Sequence, residues 1–320
     1  MALQVLHPVI RARLDEKLRR ALGPLMLRAL EDGADVIEVM RNHSGEVVVD
    51  RHGHGMEVVG TMSDPEAEEL IGTVAALNHR VANDRNPILE AELPISQARF
   101  TGVLPPVTLA PVISIRKPAP VVFTLEDYAS ASVMTARQAE ALASAVRERH
   151  NILIAGPTAS GKTTLASALL VEFDAAHRTV ILEDLAELRC QHPHTVYLHT
   201  TETTDLLRLL RTTMRLRPDR IVVGELRGAE ALTLLKAWNT GHSGGLTTIH
   251  AAGPESALIR LETLVQEANV PPQPKLICEA VDLIVSIAQT PNGRRLTGIA
   301  AIEGHDPKSG FRLRRTEDSD

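Results

Sequence analysis

The chain has 320 residues, 44% of them apolar and only 2% aromatic, so its length suggests about two domains with cores of aliphatic side chains. Its net charge of −6 disfavours direct nucleic-acid binding, which normally needs a surplus of basic residues to neutralise phosphates. The two cysteines form no C-x-x-C pair, which excludes a cysteine zinc site, and no stretch reaches the ~20 apolar residues of a membrane span, so any membrane attachment is expected to be peripheral.

The first third of the sequence, residues 1–116, predicts a small α+β domain. The spacing of leucines predicts an amphipathic helix over 11–32, which Gly23-Pro24 is placed to bend. The segment Ser63-Asp64-Pro65-Glu66 combines a cap, an early proline and an acidic first turn, and it predicts a helix to about residue 82. Short β-rich runs predict strands over 36–40, 46–50, 88–93, 97–102 and 111–116. The N-terminus lacks the long apolar core of a signal peptide, and two distant cysteines without a disulfide pattern fit a reducing cytosol.

A proline-marked connection over 117–134 predicts a linker between two domains. Beyond it, over 135–303, apolar strands alternate with helices. This alternation predicts an α/β domain with a mostly parallel sheet covered by helices on both faces. The predicted elements are a helix over 135–149, a strand over 151–155, a helix to about 172, and strands over 179–182 and 221–223 with a helix between them. Residues 304–320 predict a short, polar C-terminal tail.

The most informative motif follows the strand over 151–155 and reads Gly156-Pro157-Thr158-Ala159-Ser160-Gly161-Lys162-Thr163-Thr164. It matches the pattern G-x-x-x-x-G-K-T between an apolar strand and a helix. Glycines let several backbone N–H groups face one phosphate, and the start of the helix adds the positive end of its dipole. Lys162 is expected to reach the β and γ phosphates, and the hydroxyl of Thr163 to ligate Mg²⁺. The motif therefore predicts a nucleotide site rather than a chance glycine turn.

Two acidic groups directly follow predicted strands. One is Glu183-Asp184-x-x-Glu187, and the other is Glu225 after Ile221-Val222-Val223. The carboxyl ends of parallel strands border the ligand crevice of such sheets, where carboxylates can hold Mg²⁺ and orient an attacking water. Either group alone could equally be a solvated acid or a helix cap, but both beside a phosphate loop favour function. The candidate metal ligands are Thr163, Glu183 and Glu225.

Three arginines share one face of a predicted helix, at Arg208, Arg211 and Arg215. An ordinary solvated face is one interpretation, and arginines aimed at a γ-phosphate, from the same chain or across a subunit boundary, are the other. His250 ends the run Leu246-Thr247-Thr248-Ile249. From the residues alone it is a strand-end histidine with a structural hydrogen bond, because no partner at metal-ligand spacing accompanies it.

Four segments occur in the order of the Walker A, aspartate-box, Walker B and histidine-box motifs: GPTASGKTT, ILEDLAEL, LRTTMRLRPDRIVVGELRG and TGHSGGLTTIHA. With them, residues 10 to 303 resemble the TrbB-type conjugal-transfer ATPases of the type II/type IV secretion superfamily. The resemblance implies a PAS-like N-terminal domain joined to a RecA-like ATPase domain, with nucleotide between the two. It also implies a homo-hexameric ring. Pro157 and Ala159 stand where relatives often have glycine, which leaves the turnover rate open.

The resemblance implies further roles for individual side chains. Glu187 and Glu225 would share water activation and Mg²⁺ coordination, without a division of those roles, and His250 would sense the γ-phosphate. The other implied residues are arginines. Arg99 and Arg116 fall where the N-terminal arginines of the family reach the nucleotide. Arg211 or Arg215 would help to neutralise the transferred charge.

The implied function is a motor that hydrolyses ATP with Mg²⁺ and powers pilus biogenesis or substrate transfer in conjugative type IV secretion. Its implied partners are inner-membrane components of that apparatus, and its implied place is the cytoplasmic face of the inner membrane. A pilus retraction or extension ATPase, a helicase-like motor and a scaffold that binds ATP without turnover are the alternatives. Neighbouring genes, DNA-stimulated ATPase activity and measured hydrolysis would separate them.

Overall fold

The chain divides into two units, Met1–Pro120 and Val121–Asp320. The computed structural model describes residues 8–31, 33, 35–51, 54–93, 98–117, 122–201 and 203–315, with side chains from residue 12 onward. Within these ranges, no helix combines the length and the apolar character that crossing a membrane requires.

The first unit is a six-stranded antiparallel sheet packed with two helices. The strand order is β3-β2-β1-β6-β5-β4. The side chains on one face of the sheet form an apolar core with both helices. This explains why buried residues alternate with more exposed ones along β4, β5 and β6. The elements are α1 (Pro8–Glu31), β1 (Val36–Arg41), β2 (Glu46–Arg51), β3 (Gly55–Thr61), α2 (Asp64–Leu77), β4 (Ile88–Glu92), β5 (Arg99–Val103) and β6 (Val112–Arg116).

Local sequence signals account for both helices of this unit. Gly23 has a φ of +66° and interrupts α1 as predicted, because Pro24 cannot continue the hydrogen-bonding pattern. The N–H of Ser63 donates to the carboxylate of Glu66 at 2.8 Å, which fixes the start of α2. The helix α2 ends at Leu77, five residues before the predicted end. Strand β3 was not predicted, because its first four residues are all exposed and show no alternation.

The second unit is an eight-stranded sheet in the order β14-β13-β12-β7-β11-β10-β8-β9. The five pairings from β12 to β9 are parallel, and β13 and β14 are added antiparallel. The strands are β7 (Ile152–Gly156), β8 (Thr179–Glu183), β9 (Thr195–His199), β10 (Arg220–Val223), β11 (Leu246–His250), β12 (Leu283–Thr290), β13 (Gly293–Asp306) and β14 (Gly310–Arg315). The helices are α3 (Leu125–Ser130), α4 (Ala136–Arg147), α5 (Lys162–Val171), α6 (Leu206–Thr213), α7 (Glu230–Asn239), α8 (Pro254–Gln266) and α9 (Pro274–Ala280).

Helices cover both faces of this sheet. Every residue of β7, β8 and β10 is buried, and their side chains enter two separate apolar cores, one on each face. This explains why these strands are short, continuous apolar runs rather than alternating ones. The α/β architecture predicted from the alternation of strands and helices is confirmed.

The predicted boundaries differ from the structure in two places. The expected linker over 117–134 contains α3, which Thr124 caps and whose Leu125 and Tyr128 are buried in the second unit. The expected tail over 304–320 is also wrong up to residue 315, because it completes β13 and forms β14. In β14, Phe311 and Leu313 pack against the core between exposed arginines, and these arginines made the segment look uniformly polar. Residues 316–320 lie outside the described residues.

Candidate nucleotide site

The candidate site lies at the edge of the second sheet where β7, β11, β10 and β8 end. These four strands are parallel neighbours, so residues that follow them meet at one edge. His250 at the end of β11 is directly opposite Gly156 at the end of β7. The topology therefore brings together the phosphate loop, His250, Glu225 and the acids after β8, which are far apart in the sequence.

The loop between β7 and α5 has the backbone that its glycines predict. A Cβ atom on Gly156 would overlap the carbonyl oxygen of Ile287 and the hydroxyl of Ser160, so only glycine fits there. Gly161 caps α5 with a φ of +98°. Ala159 also has a positive φ, +61°, which costs a non-glycine residue about 1 kcal/mol. Pro157 and Thr158 are exposed, and Thr164 is half-buried in the first turn of α5.

Lys162 lies inside this loop. Its ammonium group donates to the carbonyl oxygens of Gly156 at 3.0 Å and Pro157 at 2.9 Å, and lies 3.2 Å from Nδ1 of His250. Burial lowers the pKa of Lys162, while the nearby carboxylates of Glu225 and Glu187 act in the opposite direction. Glu187 and Glu225, the two candidates for water activation, therefore both act on the charge of Lys162.

His250 joins Lys162 to Glu225. Its Nε2 lies 2.5 Å from Oε1 of Glu225. Because an ammonium group has only donors, Nδ1 of His250 must be the acceptor toward Lys162, so the ring proton is on Nε2 and faces Glu225. Burial lowers the pKa of His250, and the charges of Lys162 and Arg227 lower it further against the opposing effect of Glu225. The neutral His250 ring can therefore accept from Lys162 through Nδ1 while its Nε2–H faces Glu225.

The aspartate-box acids lie on the Thr163 side of the site. The hydroxyl of Thr163 donates to Oε2 of Glu187 at 3.3 Å. Oε1 of Glu183 accepts the backbone N–H groups of Glu187 at 3.1 Å and Leu188 at 2.8 Å. Glu183 is 4% exposed, so this buried carboxylate holds the loop that carries Glu187. The role of Glu183 as a metal ligand stays a prediction, and the structure adds this bracing role to it.

Arg227 is a residue of the site that the sequence analysis did not single out. Its Nε and NH2 donate to Oε2 of Glu225 at 2.9 and 2.6 Å, and its NH1 donates to Asp184 at 3.1 Å. Burial alone would lower the pKa of Arg227, but the hydrogen bond and charge of Glu225 raise it on balance. Arg227 therefore links the acids that follow β10 and β8. Its position two residues after Glu225 was the signal that could have identified it.

The residues present fit a magnesium–nucleotide complex. The hydroxyl of Ser160 is buried, points into the phosphate loop beside Gly156 and has no hydrogen-bond partner among the described residues. A hydroxyl and carboxylates are the oxygen ligands that Mg²⁺ prefers, and Mg²⁺ is usually held by one or two carboxylates together with phosphates. Thr163, Glu187 and Glu225 supply that set, and the backbone N–H groups at the start of α5 supply donors for phosphate.

The arginines from the first unit lie side by side. Arg99 in β5 and Arg116 in β6 are direct cross-strand partners, and Glu38 of β1 lies opposite Arg116 on its other side. An acid next to two like charges offsets part of their repulsion. Their reach toward a nucleotide stays a prediction.

The arginines of the predicted helix over 208–215 are not brought to the site within this chain, and α6 ends at Thr213, so Arg215 lies beyond it. Arg211 and Arg215 are exposed, and in the described part of the chain neither forms an ion pair. The helix connects the carboxyl end of β9 to the amino end of β10, so its last turn leads toward the edge opposite Lys162. Their role in neutralising phosphate charge stays a prediction, and this topology favours the version that acts across a subunit boundary.

Comparisons with known proteins agree with the fold. The structure shares its fold with the pilus retraction motor PilT with bound ADP, at a TM-score of 0.62 and 18% identity over 92% of this chain and 82% of that one. Residues 12–294 match the family of type II/IV secretion system proteins, and the chain belongs to that family.

The sequence identity to conjugal-transfer proteins is higher than the identity to PilT. The conjugal transfer protein TrbB of Rhizobium radiobacter is 49% identical over 302 residues, which cover 93% of this chain and 92% of that protein. The probable conjugal transfer protein TrbB of Sinorhizobium fredii is 50% identical over 300 residues, which cover 93% and 91% of the two chains. The resemblance stated from the sequence motifs is therefore confirmed at the level of the family and of these relatives.

Proposed function

We propose that this chain hydrolyses ATP with Mg²⁺ and, as a hexameric ring, powers pilus biogenesis or substrate transfer in conjugative type IV secretion. One observation carries the proposal: Lys162 lies inside a glycine-bounded loop, His250 links it to Glu225, and the hydroxyl of the next residue, Thr163, donates to Glu187. Phosphoryl transfer needs this combination of a phosphate cradle and carboxylates at one place. The similarity to conjugal-transfer proteins over more than nine-tenths of the chain supports the biological assignment.

In this proposal, the N–H groups at the start of α5 and the ammonium group of Lys162 bind the phosphates. Thr163, with Glu187 or Glu225, would hold Mg²⁺, which when bound neutralises charge on the transferred phosphoryl group. Lys162 exchanges its bonds to the Gly156 and Pro157 carbonyls for bonds to phosphate. This exchange keeps the ammonium satisfied in both states.

The acids would orient the attacking water and take its proton. Glu225 is held by Arg227 and faces His250, so a change at the γ-phosphate that moves Lys162 also reaches Glu225 through the His250 ring. Arg211 or Arg215 of a neighbouring subunit would neutralise charge on the phosphates, and Arg99 and Arg116 would contribute further positive charge. Binding and release of nucleotide would drive movement that is passed to inner-membrane components of the secretion apparatus at the cytoplasmic face.

The test is the variant Lys162→Ala. We expect steady-state ATP hydrolysis to fall below detection while the chain stays folded, because only the phosphate-binding cation is removed. Fluorescence of Trp238, the single tryptophan of the chain and a buried residue of α7, reports the fold of the second unit. Lys275→Ala is the matched control, because Lys275 is 91% exposed on α9. Full activity of Lys162→Ala would refute the site, and sedimentation with and without ATP tests the hexamer.

A further inference from the structure

The hairpin between β12 and β13 contributes an unassigned arginine to the neighbourhood of the phosphate loop. Because β12 runs parallel to β7, its carboxyl end and the turn after it lie at the same edge of the sheet as Lys162. Arg294 is the second residue of β13. A Cβ atom on Gly161 would lie 3.3 Å from Cδ and 3.5 Å from Nε of Arg294, so the arginine side chain lies across the glycine that begins α5.

The guanidinium of Arg294 is incompletely satisfied. Its Nε is buried, and no acceptor among the described residues takes a hydrogen bond from it. Over the same ranges, no carboxylate forms an ion pair with Arg294. A buried donor without an acceptor costs free energy, about 1–3 kcal/mol for a neutral group and more for a charged one. The arrangement is therefore unusual for an arginine whose only role is structural.

Arg294 lies across the start of α5, where its Cδ and Nε would meet a Cβ atom on Gly161. Its positive charge also acts on Tyr128 of α3, because burial raises the pKa of Tyr128 to about 12 and the charge of Arg294 acts against that rise. The geometric evidence for the position of Arg294 is its approach to Gly161. An oxygen-rich anion in the loop would supply the acceptor that the protein does not.

We propose that Arg294 is a nucleotide-binding residue that donates hydrogen bonds to the phosphate chain of a nucleoside di- or triphosphate. The inference rests on the proposed function and adds a contact from the β12–β13 hairpin to it. The buried Ser160 hydroxyl in the same loop has no hydrogen-bond partner among the described residues, which independently indicates that a polar ligand binds at this loop. Guanidinium–phosphate hydrogen bonds are charge-assisted and roughly twice as strong as neutral ones.

Equilibrium binding of ADP to the full chain, measured by fluorescence anisotropy, tests the proposal without relying on turnover. We expect Arg294→Gln to weaken ADP binding by about tenfold or more, and Arg294→Lys to recover part of the loss because it restores the charge. Arg295→Ala is the control. The side chain of Arg295 leaves the opposite face of β13 and donates to the carbonyl oxygen of Ser132, so this variant should bind ADP as the wild type does.

Competition with pyrophosphate and with adenosine identifies the part of the nucleotide that Arg294 contacts. If the contact is to phosphate, Arg294→Gln weakens pyrophosphate binding as much as ADP binding and leaves adenosine unchanged. Loss of adenosine binding with unchanged pyrophosphate binding would overturn the phosphate assignment. Equal ADP affinity of wild type and Arg294→Gln would overturn the inference alone, whereas a wild type that binds no ADP would overturn the proposed function as well. Trp238 fluorescence shows whether each variant is folded.

Discussion

The two edges of the parallel sheet in the second unit both hold arginine and histidine side chains, but they satisfy them differently. At the edge where the strands begin, Arg220 donates to the carbonyl oxygens of Gly244 at 2.8 Å and Val146 at 3.0 Å. Arg149 donates to the carbonyl oxygens of Asp219 at 2.7 Å and Ser243 at 2.8 Å. Asp219, Ser243 and Gly244 lie just before strands, and Val146 lies in the last turn of α4 before β7. Both arginines also contact the ring of His177, so the two arginines join the beginnings of the sheet.

At the edge where the same strands end, cations face side chains. Arg227 donates to the carboxylates of Glu225 and Asp184, and Lys162 lies beside His250 as well as beside its own loop carbonyls. Arg294 and Ser160 have buried polar atoms without hydrogen-bond partners among the described residues. Side-chain partners can rotate away and be replaced, whereas backbone carbonyls of a packed loop cannot. We therefore expect the beginning edge to control stability and the ending edge to control activity.

The largest expected effect is a loss of activity without a loss of stability at the ending edge. Glu225→Gln keeps the size of the side chain but removes its charge and its ability to accept a proton. We expect kcat to fall by about 10²- to 10⁴-fold, the usual contribution of a general base. The measurement is steady-state ATP hydrolysis at saturating ATP, with urea unfolding followed by Trp238 fluorescence.

Glu148→Gln is the matched control for that substitution. Glu148 is an exposed acid at the end of α4, near the beginning edge, and among the described residues its side chain contacts Ser144 and His150 at the surface. Its loss should leave kcat unchanged. The comparison breaks if Glu225→Gln retains full activity, or if it loses activity only because the second unit has unfolded.

A smaller effect, on stability rather than turnover, is expected from Arg220→Met at the beginning edge. Arg220 is 1% exposed, and its guanidinium lies 4.4 Å from the centre of the Phe173 ring. Burial lowers the pKa of Arg220 to about 10, with nearby Arg149 adding to the effect, so the group is still charged at neutral pH. Methionine leaves the Gly244 and Val146 carbonyls without these donors, and we expect a loss of roughly 3 kcal/mol in the free energy of unfolding.

Urea unfolding followed by Trp238 fluorescence measures this loss, and Arg147→Met serves as its control. Arg147 is exposed on α4 and, within the described ranges, pairs with the exposed Glu140, so its replacement should change stability by less than about 0.5 kcal/mol. Below the unfolding transition, Arg220→Met should still bind ADP with the affinity of the wild type. A stable Arg220→Met variant that cannot bind ADP would reverse the assignment of the two edges.

The difference between the edges also explains which features could be predicted from the sequence. The phosphate loop is a contiguous motif, and the acids directly follow apolar strands, so Lys162 and Glu225 were found from local pattern alone. The family was identified for the same reason and is confirmed. Arg294 and Arg220 could not be found in this way, because their meaning depends on which distant loops the strand order brings beside them. Arg294 has an unfilled donor there, whereas Arg220 has two carbonyl acceptors and the ring nitrogen of His177.

The missed elements have a similar physical origin. Helix α3 has only six residues, too short to show helical periodicity, and it depends on burial of Leu125 and Tyr128 in the second core. Strand β14 adds to the sheet through Phe311 and Leu313, while its exposed arginines dominate the composition. In both cases tertiary packing supplies what the local pattern lacks.

The smallest expected effect concerns Tyr128, a buried residue of α3 whose ionisation the charge of Arg294 influences. Burial raises the pKa of Tyr128 from 10.0 to about 12, so the folded chain binds the phenolic proton more tightly than the unfolded chain. The stability that this provides is complete below pH 10 and is lost as the pH rises toward 12. Between pH 9 and 11 we expect the wild type to lose roughly 1 kcal/mol more stability than Tyr128→Phe.

Urea unfolding at a series of alkaline pH values, followed by Trp238 fluorescence, measures that difference. The chain has two tyrosines, so Tyr197 remains in both proteins and its contribution cancels. Arg294→Gln sharpens the result: because the guanidinium of Arg294 opposes the rise in the pKa of Tyr128, its removal should move ionisation to still higher pH in absorbance at 295 nm. Parallel stability curves for wild type and Tyr128→Phe would contradict the burial-raised pKa of Tyr128, and no change in ionisation after removal of Arg294 would show that the charge of Arg294 does not reach Tyr128.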